Sequence, residues 1–266
     1  MELTRGQVAV VTGAGSGIGL GIGMAMAGRG LSVVLADVEE GALARAATAV
    51  GERGVPVLAV PTDVSDGAQV DALARQALER FGRVDVVCNN AGVTTDNKYT
   101  WEMDERDWQW VLGVNLWGVV HGVRAFVPGL IAQGHGHVVN TASIVGLSFG
   151  PENAPYTASK HAVVAISETL RGELATCAPG VGVTVLCPSY VPTAIGLAER
   201  NRPASLATDW GGRRRDRSGL DPVQPEVVGE MVAGAVESGR FYLSTHRGVE
   251  GVVRRRFEDI LADLGA

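Results

Sequence analysis

The stretch "QVAVVTGAGSGIGLGIG", residues 7–23, decides the fold. Its opening, "QVAVVTGA" (7–14), is a short Val-rich run that is apolar almost throughout, as expected of a strand covered on both faces. "TGAGSGIGLGIG" (12–23) then opens a helix. Glycines between a strand and a helix permit a tight turn and let backbone N–H groups approach a pyrophosphate at the helix N-terminus. The literal G-x-G-x-x-G register fails here, because Gly13 and Gly15 would need a third glycine at Ile18. The spacing that fits is Thr12-Gly13-x-x-x-Gly17-x-Gly19, with Ser16 and Ile18 inside the loop.

The same rhythm continues outward. "LSVVLADV" (31–38), "VPVLAVPTDV" (55–64), "VDVVCNNAG" (84–92), "GHVVNTAS" (136–143), "GVGVTVLCPS" (180–189) and "RFYLSTH" (240–246) read as strands, with helical segments between them. Strand–helix alternation on this scale predicts an α/β fold: a doubly wound, mostly parallel sheet of about seven strands with helices on both faces. No boundary interrupts it, so residues 1–266 are expected to form one domain. Two segments break the pattern. Residues 94–134 predict a long Trp-bearing helical region, and residues 190–222 lie beyond a strand end, where an insert is a candidate substrate lid.

Bulk properties narrow the function. The chain of 266 residues carries 23 basic and 29 acidic side chains, a net charge of −6 without an extended basic stripe, which argues against nucleic acid as a partner. Cys88, Cys177 and Cys187 are too far apart for a metal or redox pair, and the five histidines share no ligand spacing, so no metal site is expected. Neither a leader nor a run of ~18 apolar residues is evident, and the expectation is a soluble cytoplasmic protein without membrane association.

Two features carry chemistry. Asp37 ends the second strand, 18 residues past Gly19, where a carboxylate can accept hydrogen bonds from both hydroxyls of an adenosine ribose and repel a 2′-phosphate. NAD is thus expected over NADP, although an aspartate there could instead cap the following helix. Further on, "YTASK" (156–160) sets Tyr156 and Lys160 one helical turn apart, on one face, downstream of Ser143. A cation beside a phenol stabilises phenolate and brings its proton within reach of neutral pH.

With these residues assembled, the chain resembles the short-chain dehydrogenase/reductase family in its compact single-domain form. The motifs stand in order: "TGAGSGIG" (12–19), "DV" (63–64), "NNAG" (89–92), Asn115 in "VNLWG", Ser143, "YTASK" and "CPSYVPT" (187–193). The resemblance implies a Rossmann-type sheet and a tetrad of Asn115, Ser143, Tyr156 and Lys160. Tyr156 would exchange the substrate proton, Ser143 would bind the substrate oxygen, and Lys160 would hold the nicotinamide ribose and lower the phenol pKa. Asn115 would place a water that relays protons from Lys160. Gly13, Ser16, Gly17, Ile18, Gly19 and Asp37 would cradle NAD, Asp63 and Val64 its adenine, Asn90 and Gly92 the adenosine side of the channel, and Val191 and Thr193 the carboxamide.

The family commonly has Pro-Gly after the sixth strand, whereas Pro188-Ser189-Tyr190 stands here, which predicts a different loop path and makes Tyr190 a candidate substrate contact beside Val145. Thr94, Thr95, Leu147, Phe149, Asn153, Ile195 and Leu197 are expected to complete a largely apolar pocket for a medium-sized hydrophobic or cyclic alcohol or ketone. The arginine-rich stretch 213–217 reads as a solvated lid run, and 247–264 as an amphipathic C-terminal helix for packing or subunit contact. The resemblance further implies a homo-oligomer, tetramer or dimer. An NAD(H) sensor without turnover is the alternative on the same fold. Enoyl reduction fits less well, since related enoyl reductases space tyrosine and lysine seven apart.

Overall fold

The computed structural model describes residues 1–209 and 221–265. Seven strands form one sheet: β1 (Val8–Thr12), β2 (Ser32–Asp37), β3 (Val57–Pro61), β4 (Val86–Asn89), β5 (Gly136–Thr141), β6 (Val181–Cys187) and β7 (Tyr242–Ser244). All six neighbouring pairs are parallel, in the order β3-β2-β1-β4-β5-β6-β7, so the sheet expected to be mostly parallel is wholly so among the described residues. The order reverses between β1 and β4, and a crevice opens there at the carboxyl ends of the strands.

Alternation along each strand divides the core into two layers. Val8, Val10 and Val34 face α3 (Gly67–Phe81), α5 (Gly118–Gln133) and α6 (Ala154–Cys177), and pack with Leu73, Phe126, Leu130 and Leu174. Ala9, Val11 and Leu35 face the other way, toward α1 (Gly17–Gly28), α2 (Glu40–Gly51) and α7 (Pro225–Ser238), and pack with Ile22, Met26, Val50 and Val232. This explains the unbroken apolar runs: both faces of β1, β2, β4, β5 and β6 are covered, while the edge strands β3 and β7 stay partly exposed. At the amino ends of the strands, buried Asp85 accepts the Val8 N–H at 2.9 Å and pairs with Arg83, closing that edge of the sheet.

Of the region 94–134 expected as helical, Glu105–Gln133 is helical as α4 (Glu105–Leu112), a widened π turn (Gly113–Trp117) and α5 run end to end, and a short 3₁₀ turn, Thr100–Glu102, precedes it. Asp104 caps α4 through the Arg106 N–H at 2.9 Å, in a reciprocal box with Asp107. The stretch Glu105–Gln133 is long and apolar enough to cross a membrane by composition alone; in this fold α5 packs against β4, β5 and α3. The C-terminal α8 (Val249–Asp263) forms as expected but buries none of its side chains.

Candidate active site

A cleft of about 1390 Å³ runs along the carboxyl ends of β1 to β6, and most of the sequence-predicted residues line it; Gly19 and Asn115 do not. Gly13 has φ +63°, and a Cβ there would stand 2.7 Å from the Ala91 Cα; at Gly19 it would stand 2.1 Å from the Gly13 carbonyl oxygen. Only glycine lets the loop lie this tightly against α1. Ser16 occupies the N-cap of α1 without bonding to it, which leaves the first helical N–H groups without a capping side chain. Bare N–H groups in a concave, side-chain-free turn fit the pyrophosphate of a dinucleotide.

The loop is fixed from both sides. Asp37 closes β2, and its Oδ2 accepts the Gly15 N–H at 2.8 Å while Oδ1 accepts the Glu39 N–H at 2.9 Å. The N-cap of α2 is Glu39, so Asp37 is not the helix cap that its sequence position also allowed. Thr12, not predicted as a site residue, accepts the N–H groups of Asn90 and Ala91 at 2.9 and 3.1 Å, and Asn90 Nδ2 donates to the Thr12 carbonyl at 3.0 Å. These bonds lock β1 to the "NNAG" turn, on which Gly92 also lines the cleft. Asp63 accepts from the Ser65 N–H and hydroxyl at 2.9 and 2.7 Å, and Val64 is buried beneath α5. Val191 is buried in the α1-side core, and the Thr193 methyl lies over Gly17.

The other half of the cleft gathers Ser143, Tyr156 and Lys160, while Asn115 is fully buried outside its lining. Pro155 in the first turn starts α6 beside Asn153, which places Tyr156 and Lys160 at its head. Asn140 Nδ2 donates to Ser167 Oγ at 3.0 Å and ties α6 to β5. The Lys160 side chain is 2% exposed; its Nζ donates to the Thr141 carbonyl at 2.9 Å and lies 5.5 Å from the centre of the Tyr156 ring. Burial lowers the Lys160 pKa to about 8, because desolvation penalises the ammonium form. Ser143 ends the loop after β5, with its hydroxyl 3.4 Å from both the Pro188 carbonyl and the Val145 N–H.

The Asn115 side chain is committed to protein groups. It sits fully buried on the π turn, where Oδ1 accepts the Val93 N–H at 2.8 Å and Nδ2 donates to the Val93 carbonyl and Ser159 Oγ at 3.0 and 3.1 Å. Ser159 in turn donates to the Tyr156 carbonyl at 2.7 Å. The amide therefore braces the loop after β4 against the head of α6.

The pocket wall differs in part from expectation. Thr94, Thr95, Val145, Asn153, Tyr190, Ile195 and Leu197 line the cleft, joined by Trp110 and Val114 from the Trp-bearing region. Leu147 packs instead against the core, and Phe149 is 75% exposed outside the cleft. Asn153 Nδ2 donates to Thr94 Oγ1 at 2.8 Å, which gives one wall a polar seam among apolar groups. Ser189 sits comfortably after Pro188: Glu152, φ +67°, is the one non-glycine residue with positive φ among the described residues. Of the lid, residues 190–209 and 221–222 are described, and the arginine-rich stretch 213–217 lies outside the described residues. No group of His, Cys, Asp or Glu suited to hold a metal occurs among the described residues.

Comparison with known proteins agrees with this geometry. Residues 7–203 match the profile of the short chain dehydrogenase family. A 1-deoxy-11-beta-hydroxypentalenate dehydrogenase of Streptomyces exfoliatus is 38% identical over 258 residues, covering 96% of this chain and 88% of the other. A CLA biosynthesis dehydrogenase/reductase of Lactiplantibacillus plantarum is 32% identical, covering 97% and 94%. Among solved structures, a short chain dehydrogenase/reductase from Burkholderia phymatum in complex with NAD superposes with a TM-score of 0.92 at 43% identity, covering 99% and 97% of the two chains. A matched profile, full-length relatives and one unbroken cleft at the sheet's switch point agree: the chain belongs to the short-chain dehydrogenase/reductase family, an oxidoreductase family.

Proposed function

We propose that this protein is an NAD-dependent oxidoreductase that interconverts a secondary alcohol and a ketone, with Tyr156 as general acid and base. The observation that carries the reading is the buried Lys160 ammonium facing the Tyr156 ring within the cleft that also holds the glycine cradle. NAD would supply the hydride acceptor for an alcohol carbon or, in its reduced form, the hydride donor for a ketone carbon. Gly13, Ser16, Gly17, Ile18 and Gly19 would hold its pyrophosphate, Asp37 its adenosine ribose, Asp63 and Val64 its adenine, and Val191 with Thr193 its carboxamide. Asp37 and Glu39 together disfavour a 2′-phosphate, which supports NAD over NADP.

On the protein side, Tyr156 gives its proton to a ketone oxygen or takes one from an alcohol. Lys160 stays cationic below about pH 8 and favours the phenolate that results. Ser143 donates to the same substrate oxygen as charge develops on it. Asn115 keeps α6 in register with the loop that carries Val93. Val145, Trp110 and Ile195 offer apolar area to a medium-sized hydrophobic or cyclic body, with the Thr94–Asn153 seam available to a second polar group. Trp117, 53% exposed on the Trp-bearing helix, supports a homo-oligomer paired through that face.

The test is NADH formation, followed by absorbance, with cyclic, aromatic and aliphatic secondary alcohols and with NAD⁺ and NADP⁺ in parallel. Turnover with NAD⁺ that Tyr156→Phe abolishes is the expected result. Tight NADH binding without turnover on any alcohol or ketone of the panel would favour the sensor reading instead.

A further inference from the structure

Three consecutive lid residues reach opposite banks of the cleft. After β6 the chain runs through the 3₁₀ segment Ala194–Asn201 and turns at Arg202. Arg202 points to α4: its side chain is 2% exposed, its Nη2 lies 2.8 Å from Asp107 Oδ1, and its guanidinium stands 4.9 Å from the centre of the Trp110 ring. Arg200 and Asn201 point the other way, to Glu39 on the loop between β2 and α2. Arg200 forms an ion pair with the Glu39 carboxylate, and Asn201 Nδ2 donates to the same oxygen at 2.7 Å. Arg200 Nη1 also donates to the carbonyls of Ala194 and Leu197 at 3.2 and 2.7 Å, so its guanidinium is held in place by the lid itself.

The two attachments differ in kind. Arg202 and Asp107 are both buried, and separating them would strand a charge out of water. Arg200 and Glu39 are 38% and 31% exposed, so water can solvate both when they part. Hydrogen bonds from Arg200 and then Asn201 hold the Glu39 carboxyl below its ordinary range, so the attachment is ionised at neutral pH. Beyond Glu39 the contacts continue inward: its N–H bonds Asp37, and Asp37 bonds Gly15 of the glycine loop.

We propose that Glu39, Arg200 and Asn201 are positioning residues that fasten the lid across the adenosine end of the cleft and set how fast the dinucleotide leaves. This rests on the reading that the cleft binds NAD(H). The lid parts at the solvated Glu39 side and turns about the buried Arg202–Asp107 anchor, so cofactor exchange requires one exposed attachment to open while the other stays closed.

The test uses the whole protein and no substrate. NADH affinity is first measured by fluorescence titration, and its dissociation is then followed by stopped-flow displacement with excess NAD⁺. Glu39→Gln and Arg200→Met should each speed NADH release about fivefold, and the exchanged pair Glu39→Arg with Arg200→Glu should return it to within about twofold of wild type. Single variants that release NADH at the wild-type rate overturn the proposal. So does an exchanged pair as fast as the singles, because lost packing would then account for both. Wild-type protein that binds no NADH in the titration instead sinks the functional reading on which the proposal rests, a result seen before any release rate is measured.

Discussion

The two ends of β5 each bury a basic group. At its amino end, His137 is 2% exposed, its Nε2 is 2.8 Å from Thr184 Oγ1, and burial pushes its pKa down to about 4. At its carboxyl end, Lys160 is equally buried, bonded to the Thr141 carbonyl and lowered to about 8 by the same desolvation. By titration alone the two look alike. They differ in what lies beyond them: His137 meets packed core, whereas Lys160 opens on a cleft shared with Tyr156, Ser143 and the glycine loop. A perturbed pKa marks a buried base; a cavity and partner groups turn it into a site.

The comparison can be broken most sharply at Tyr156. Tyr156→Phe should lower turnover by ~10³-fold, within the range for lost acid–base catalysis, and leave NADH affinity within about threefold by fluorescence titration. Retained turnover would deny the cleft end its chemistry.

Lys160→Met should cost ~10²-fold in turnover yet stabilise the fold. Folding lowers the pKa of this lysine, so holding its ammonium form costs stability at pH 7, and the cost lifts as pH rises from about 8 toward its ordinary 10.5. Against a burial cost of up to ~3 kcal/mol stands the lost bond to Thr141. Urea denaturation should therefore show a net gain of ~1–2 kcal/mol at pH 7 that vanishes near pH 10. A variant less stable than wild type at pH 7 would mean that the lysine is structural.

His137 should behave in the opposite way. His137→Gln should destabilise by ~2 kcal/mol while leaving turnover per folded molecule within about twofold. Wild-type stability from this group is fully present above its ordinary 6.5 and lost as pH falls through about 4, a drop of at most ~3 kcal/mol. Denaturation curves of the variant should lack that part of the acid slope. The smallest effect expected is at Thr12→Val, which removes the acceptor of the Asn90 and Ala91 N–H groups and should weaken NADH binding about threefold to tenfold.

Much of this was legible beforehand. Six Val-rich runs and the valine-free "RFYLSTH" are strands, and in the five inner ones apolar side chains on successive residues suit a sheet covered on both faces. Tyr156 and Lys160 share a face because helical geometry alone puts i and i+4 together. Loop residues were harder to read. Leu147 and Phe149 follow Ser143 in a segment with no period, so nothing local said which way they point. Asn115 was found by motif, but the π turn that buries it and commits its amide to Val93 left no sequence signature. No local pattern singled out Arg200 or Arg202, although Arg202 is buried by Trp110 and Asp107, more than ninety residues away in the chain.

The sequence by itself therefore determined the parallel sheet, the glycine cradle at its switch point and the pairing of a phenol with an ammonium on one helix face. These follow from near-neighbour geometry, which spacing encodes directly. Only the tertiary structure decided which charges lose their water, which loop residues face the cleft and that the lid crosses it from Asp107 to Glu39. Desolvation and long-range pairing depend on groups that come together only when distant segments pack, and no local pattern carries them.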